Sequence, residues 1–308
     1  MAGLKQIKTK IVAMKKSQTV TKAMEAVSAA KMRKAQQTAL KGRAYARAAA
    51  ATLSRLSGTR EILRHPLSAV RPIKKALYIV ITSDKGLAGA LNSGVLRAAA
   101  RDIAQSGLSV KKVSIIAVGR KANDYFAARG YNIEAFHPNN AEVTGAVVRA
   151  IVDEAAKSFG SKTDRVVIVY QNFVSTFEQR PTVRQIFPLM PIELERVVQD
   201  IMPVRGAFAE SIKKQVSNDK PAAYTVEPSE EEVVDTVLPM LASVVVYHAL
   251  LETVASEHSA RMVAMKSASD KAGEKQDELT LQFNKVRQAA ITREVSEITG
   301  GMEAMASA

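Results

Sequence analysis

The sequence predicts an α/β fold with two parts: a long antiparallel two-helix coiled coil from the N- and C-terminal helices, and a central Rossmann-like domain with a mostly parallel sheet. Three observations carry that expectation. The first 56 residues have helical spacing and no proline, the last 80 hold a 3-4 repeat, and apolar strands alternate with helices between them. The expected boundaries are a basic helix over 1–57, a linker over 58–75, an α/β domain over 76–190, an irregular connection over 191–228 and a second long helix over 229–308.

In the first helix Leu4, Ile7, Ile11 and Met14 follow 3-4-3 spacing. Val20, Met24 and Val27 are expected to resume it after a slip across Ser17, Gln18 and Thr19. The first proline is Pro66, and the stretch from Tyr45 to Ala51 is mostly alanine, the best helix former. At 1.5 Å per residue, about 55 residues span roughly 80 Å.

The last helix is stricter. Positions from Leu241 through Val244, His248, Leu251, Ala255, His258, Met262, Met265, Ser269, Ala272, Gln276, Leu279, Phe283 and Val286 to Ala290 are spaced 3 and 4 alternately. Seven heptads in one register favour a coiled coil over a globular core helix, although His, Ser, Gln and Ala make the seam only modestly stable. Ser229 before Glu230, Glu231 and Glu232 reads as an N-cap with a capping box, and Pro239 is expected to kink or restart the helix.

Between the helices, 76–82, 113–118 and 165–170 read as buried strands and 182–187 as a further strand. Helices are expected near 92–105, 121–129 and 142–158. Pro188, Pro191 and Pro203 punctuate a connection with no assigned structure. The domain joins the end of one long helix to the start of the other, so the two run antiparallel. If Leu56 lies near Met240, Gly3 lies near residue ~293 at equal rise. The stripe of Val295, Ile298, Met302 and Met305 then overhangs without an internal partner, which predicts a hydrophobic socket on another protein.

Charge is uneven. Residues 1–56 hold thirteen Lys/Arg and one acid, Glu25, a net of +12, whereas 229–308 hold seven against thirteen, a net of −6. The whole chain carries +14, so +8 lies between. A basic segment points to nucleic acid, anionic lipid or an acidic protein. With no cysteine, thiol catalysis, disulfides and thiolate metal sites are excluded. No apolar run approaches the ~20 residues that cross a bilayer, and the start lacks a secretory apolar core, so an intracellular protein is expected.

Ser83 to Asn92 follows a strand and opens a helix, where phosphate loops occur, yet it has neither G-x-x-x-x-G-K-[ST] nor G-x-G-x-x-G. A tight turn that needs glycine is the better reading than a nucleotide site. His248 and His258, ten residues apart, lack the spacing for a shared metal and read as satisfied seam histidines. Glu252 and Glu257 read as solvated helix charges. In the basic helix Tyr45 is the only aromatic, which argues against single-strand binding but leaves duplex nucleic acid open.

Several segments resemble the gamma-subunit family of F-type ATP synthases. Thr21 to Val27 and Ala30 to Lys34 are similar to its N-terminal block, Ser83 to Asn92 to its loop after the first strand, and Ala255 to Lys266 to its C-terminal helix. Asn284 to Ile298 is the most specific match, and the resemblance is weakest from Gln179 to Ala223. It implies a rotor without catalytic site, cofactor or metal of its own, turning inside a ring of three alpha and three beta subunits. The catalytic sites lie in that ring, mainly on beta. The α/β domain meets the epsilon subunit and the c-subunit ring, whose rotation is driven by protons. No nucleic acid is implied, and membrane contact comes only through the complex.

The resemblance assigns Met24, Arg261, Gln288, Thr292 and Glu294 to coupling contacts with the ring. It makes Val295, Ile298, Met302 and Met305 a hydrophobic bearing, and it places Tyr224 and Glu227 against the c ring, where Val226 departs from the family's frequent aromatic. The family block begins by residue ~4, leaving no room for a presequence of about 15 residues, so the expected location is the cytoplasmic face of a bacterial inner membrane. The rivals are an α/β nucleotide-binding enzyme and a basic coiled-coil nucleic-acid binder.

Overall fold

The computed structural model describes residues 2–56, 62, 64–139, 142–189, 227 and 229–306. The elements are α1 (Ala2–Leu56), β1 (Ala76–Ile81), α2 (Leu91–Gln105), β2 (Val113–Val118), α3 (Arg120–Ala127), β3 (Asn132–His137), α4 (Gly145–Ser158), β4 (Arg165–Phe173), β5 (Gln179–Phe187) and α5 (Glu230–Ala306). They fall into two compact units, one of residues 30–260 and one of residues 1–29 with 261–308. Pro191 and Pro203 lie outside the described residues.

The larger unit is built on a five-stranded sheet in the order β3-β2-β1-β4-β5, parallel except for the antiparallel β4–β5 pair. β1 is buried along its whole length, as a parallel strand covered on both faces should be. Tyr78 and Val80 of β1, with Ile115 of β2, face Val95, Ala99 and Ile103 of α2 and Phe126 of α3. Leu77, Ile79 and Ile81 point the other way, toward Ile151 and Val152 of α4 and Leu241, Val245 and Ala249 of α5. Right-handed crossovers require this split: α2 and α3 join strands laid down in one direction, and α4 carries the chain back across the sheet.

The apolar runs locate β1, β2 and the first half of β4 because their strands are buried on both sides. The same reasoning misses β3, an edge strand whose Glu134 and His137 break the apolar run. It also shortens the β4–β5 hairpin, whose outer rungs pair Gln171 with Pro181 and Asn172 with Arg180. A proline is tolerated there because β5 is an edge strand.

α5 corrects three expectations. It runs unbroken through Pro239, which neither ends nor restarts it. Its residues 230–260 belong to the α/β unit, where it packs on one side over 230–240 and is buried on nearly every side over 241–260, and it is not simply one strand of a coiled coil. It also contains an 18-residue window of mean hydropathy 1.7, against the expectation of no spanning-grade run. Half of that window is buried within the chain, which is how a core helix acquires such a composition. The N-cap half of the expected box is present, since Glu232 N donates to Ser229 Oγ at 3.3 Å, and Val233 N makes the first helix bond to Ser229 O at 3.2 Å.

At the carboxyl ends of β1 and β2, Gly119 has φ 91. A Cβ added there would lie 2.2 Å from the Thr82 carbonyl oxygen. Gly119→Ala therefore combines backbone strain with a clash against main chain that cannot turn aside. The expected loss is about 3 kcal/mol or more of unfolding free energy, measured by urea denaturation of the full chain.

Candidate functional site

In the smaller unit the two helices bury heptad seams. On α1 the covered positions include a continuous 3-4 series, Leu4, Ile7, Ile11, Met14, Gln18, Thr21, Glu25 and Ser28, with Met24 and Ala29 half-buried beside it. The expected slip does not occur: Val20 and Val27 are 58% and 55% exposed, and polar Gln18, Thr21 and Glu25 hold the register instead. Apolar spacing alone misread this stretch, because small and polar residues carry the seam. On α5 the covered positions are Met262, Met265, Ser269, Ala272, Gln276, Leu279, Phe283 and Ala290, with Val286 at its margin, as the repeat predicts. The Gln18 amide lies over Gly273, where a Cβ would meet its Nε2 at 2.7 Å. Antiparallel helices of equal rise then set Gly3, fifteen residues before Gln18, beside residue 288, fifteen beyond Gly273. Pairing thus ends about five residues earlier than the expected ~293, and the overhang is longer.

Within the larger unit a row of polar side chains on α5 grips the β4–β5 hairpin. Glu252 Oε2 accepts from Phe173 N at 2.9 Å, and Thr253 Oγ1 accepts from Gln171 N at 3.4 Å. Ser256 Oγ donates to Gln171 O at 3.3 Å, and Ser259 Oγ donates to Thr176 O at 2.6 Å. Gln179 Nε2 reaches Ser259 Oγ at 3.4 Å. These groups are spaced 1, 3 and 3 along the helix, so they line one face and meet successive backbone groups of the hairpin. Glu252 is buried and lies 3.3 Å from His248 Nε2, which overturns its reading as a solvated charge. Sequence reasoning missed this clamp; the signal available was the run of small hydroxyl residues on an otherwise apolar helix.

The loop at the carboxyl end of β1 is occupied by its own hydrogen bonds. Ser83 N donates to Asn92 Oδ1 at 3.0 Å, Asn92 Nδ2 to Ser83 Oγ at 2.8 Å, and Ser83 Oγ to Lys85 O at 2.6 Å. Arg120 N donates to Asp84 Oδ1 at 2.9 Å, and Asn139 Nδ2 to Thr82 O at 2.7 Å. The Ser83, Asp84 and Asn92 side chains thus close the turn, with Leu87 at φ 63 and Gly89 at φ 56. Among the described residues, no group of three or more His, Asp or Glu is placed to hold a metal.

The residues singled out from sequence are dispersed. Met24 is half-buried on α1 and Arg261 is buried on α5, while Gln288, Thr292 and Glu294 are exposed. Val295, Ile298, Met302 and Met305 are also exposed, with Ile298 at 64% and Met305 at 81%. Glu227 is exposed, and Tyr224 lies outside the described residues. Those exposed residues lie along the free stretch of α5 and at Glu227, and no cleft is formed by them among the described residues.

The chain thus comprises a paired-helix unit, an α/β unit and one helix, α5, that belongs to both. The ATP synthase family matches residues 3–305. The chain is similar to one in the Tetrahymena thermophila mitochondrial ATP synthase central stalk and c-ring, at 25% identity and TM-score 0.59, over 81% of this chain and 99% of that one. It is similar in fold to a chain of the Euglena gracilis mitochondrial ATP synthase (OSCP, F1 and c-ring, rotational state 3), at 20% identity and TM-score 0.66, over 99% and 95%. A rotor chain of the Euglena enzyme in rotational state 1 gives 18% identity and TM-score 0.61, over 94% and 99%. The chain belongs to the ATP synthase gamma-subunit family, the central-stalk rotor of a membrane-associated rotary ATPase. The nucleic-acid reading finds no support among these relatives.

Removing the Glu252 carboxylate leaves the half-buried Phe173 N–H without its acceptor, a cost of about 1–3 kcal/mol at most. Glu252→Ala is expected to lower the urea midpoint of the full chain accordingly. Glu252→Gln keeps an oxygen for that N–H and is expected to lose less than half as much.

Proposed function

We propose that this chain couples rotation of a c-subunit ring to the catalytic sites of a ring of three alpha and three beta subunits, and that it performs no catalysis itself. Two of the solved relatives are described with a c-ring, and one of these with F1, and we extend those partners, with an epsilon subunit, to this chain. The proton as coupling ion and the cytoplasmic face of a bacterial inner membrane belong to the same reading and rest on the sequence resemblance. α5 is the observation that carries the proposal. One unbroken helix belongs to the α/β core over 230–260 and to the paired seam beyond 261, so the two units share one continuous element through which torque would pass.

Rotor coupling assigns Met24, Arg261, Gln288, Thr292 and Glu294 to contacts with alpha and beta, and Tyr224 and Glu227 to the c-ring and epsilon side. The exposed cations of α1, among them Lys8, Lys15 and Lys22, face acidic loops of the surrounding ring. Each exposed pair contributes only ~0–1 kcal/mol, so single changes are expected to be silent. The triple change Lys8→Glu, Lys15→Glu and Lys22→Glu is expected to lower ATP-driven proton pumping per ATP hydrolysed, or recovery of the complex, while the circular-dichroism melt of the subunit holds. Normal pumping in a normally assembled triple variant would refute the electrostatic part of the reading.

The exposed stripe Val295, Ile298, Met302 and Met305 is assigned to a hydrophobic bearing supplied by the ring. Burying each such side chain is worth roughly 1.5–3 kcal/mol before the cost of ordering the helix end. Ile298→Asp with Met302→Asp is expected to reduce native-gel recovery of the complex. The isolated subunit should melt within about a degree of the parent, since both side chains already face solvent. Ile298→Leu with Met302→Leu should leave both quantities unchanged.

A further inference from the structure

The α/β unit is electrically polar along its strands. Four loops, 69–75, 106–112, 128–131 and 159–164, meet the amino-terminal ends of the four parallel strands; together they hold seven Lys/Arg and one acid, Asp164, a net of +6. The loops at the carboxyl ends, 82–90, 119, 138–144 and 174–178, hold Lys85 against Asp84, Glu142 and Glu178, a net of −2. The +8 that the terminal helices leave unexplained is thus concentrated at one edge of the sheet.

Strand register makes this edge a compact surface. Ala76 is level with Val113 and with Arg165, so Lys74 and Lys75 lie beside Lys111 and Lys112, with Lys162 on the far side. Strands are about 4.8 Å apart, so this row spans little more than 10 Å. All five lysines are exposed, and none forms an ion pair with a described residue. Asp164, whose Oδ2 accepts from Lys74 N and Lys75 N at 2.9 and 3.0 Å, is already counted in the net of +6. The same loops expose aliphatic side chains: Val70 is 69% exposed, Ile73 50% and Val110 38%.

We propose that this amino-terminal edge binds the anionic headgroup surface of a phospholipid membrane. The lysines would lie on lipid phosphates while Ile73, Val70 and Val110 enter the headgroup layer. Flexible ammonium groups interleaved with exposed aliphatics fit a fluid anionic interface that carries both phosphate and hydrocarbon. An acidic protein loop would use the lysines and leave the aliphatics in water. The family's membrane-associated complex puts such a surface within reach. The proposal stands on charge and exposure alone, so it is separable from the rotor reading, and it revises the expectation that membrane contact comes only through other subunits.

The chain has no tryptophan, so a single introduced one reports its own surroundings. The full chain carrying Ile73→Trp is expected to show a blue-shifted emission with phosphatidylglycerol vesicles and none with phosphatidylcholine vesicles. Val174→Trp, on the carboxyl-end hairpin, should not shift with either. Each lysine near an anionic surface is worth about fivefold in affinity. Adding Lys74→Gln, Lys111→Gln and Lys112→Gln to the Ile73→Trp chain should therefore weaken phosphatidylglycerol binding by about a hundredfold. Vesicle adsorption with an unshifted Ile73→Trp would show that the basic helix α1 binds instead, and would overturn the proposal. So would equal shifts at both positions, or a shift produced by polyglutamate and not by vesicles. ATP-driven pumping by the complex tests the rotor reading independently of these outcomes.

Discussion

The burial of α5 residues 230–260 against the sheet is the constraint on which the rest of the structure depends. Leu241, Val245 and Ala249 complete, beside Ile151 and Val152 of α4, the core that Leu77, Ile79 and Ile81 begin, so the second face of the sheet is only partly covered without this helix. A helix that were only docked by apolar contact could slide or rotate, since such contacts are non-directional. The hydrogen bonds from Glu252, Thr253, Ser256 and Ser259 to the β4–β5 hairpin supply direction. They act as keys, fixing which face of α5 meets the sheet and at what height.

That arrangement explains the helix composition. The same element must be apolar on nearly every side over its first third, then present a narrow seam, then expose its sides altogether. Pro239 is tolerated because tertiary burial outweighs one missing helix hydrogen bond, and Ser243 Oγ bonds its carbonyl at 2.9 Å. The seam of the smaller unit, with Gln18 over Gly273 and with Thr21, Ser28, Ser269 and Ala272 among its covered positions, permits close approach at these small and polar residues but buries little apolar area there. Rigidity is therefore concentrated in the α/β unit, and the helix pair is the more compliant element under torsion.

Much of this was legible in the sequence, for definite reasons. Strands β1, β2 and β4 are continuous apolar runs because parallel strands are buried on both faces, and the α5 repeat beyond Met262 survives because one seam is all it must bury. The failures are equally physical. β3 is an edge strand with one neighbour, so its pattern is weak. The α1 register was misplaced because Val20 and Val27 are apolar yet exposed, while Gln18 and Glu25 are polar yet covered. Glu252 was read as solvated because a buried acid satisfied by a distant backbone N–H leaves no trace in local spacing. The overhanging stripe was legible because an antiparallel pair of unequal helices must leave one end unpartnered, although the pairing ends sooner than counting from Met240 suggested.

The central claim, that torque passes between the α/β unit and the helix pair through α5, is tested most directly by watching rotation. A bead attached to the α/β unit through a single cysteine, in a chain that otherwise has none, would be followed while an immobilised complex hydrolyses ATP. The account predicts that the bead turns in one direction, in step with hydrolysis, and that Glu252→Ala with Ser256→Ala and Ser259→Ala reduces the torque it sustains while hydrolysis continues. A bead that stays still during hydrolysis by the parent complex would contradict the account.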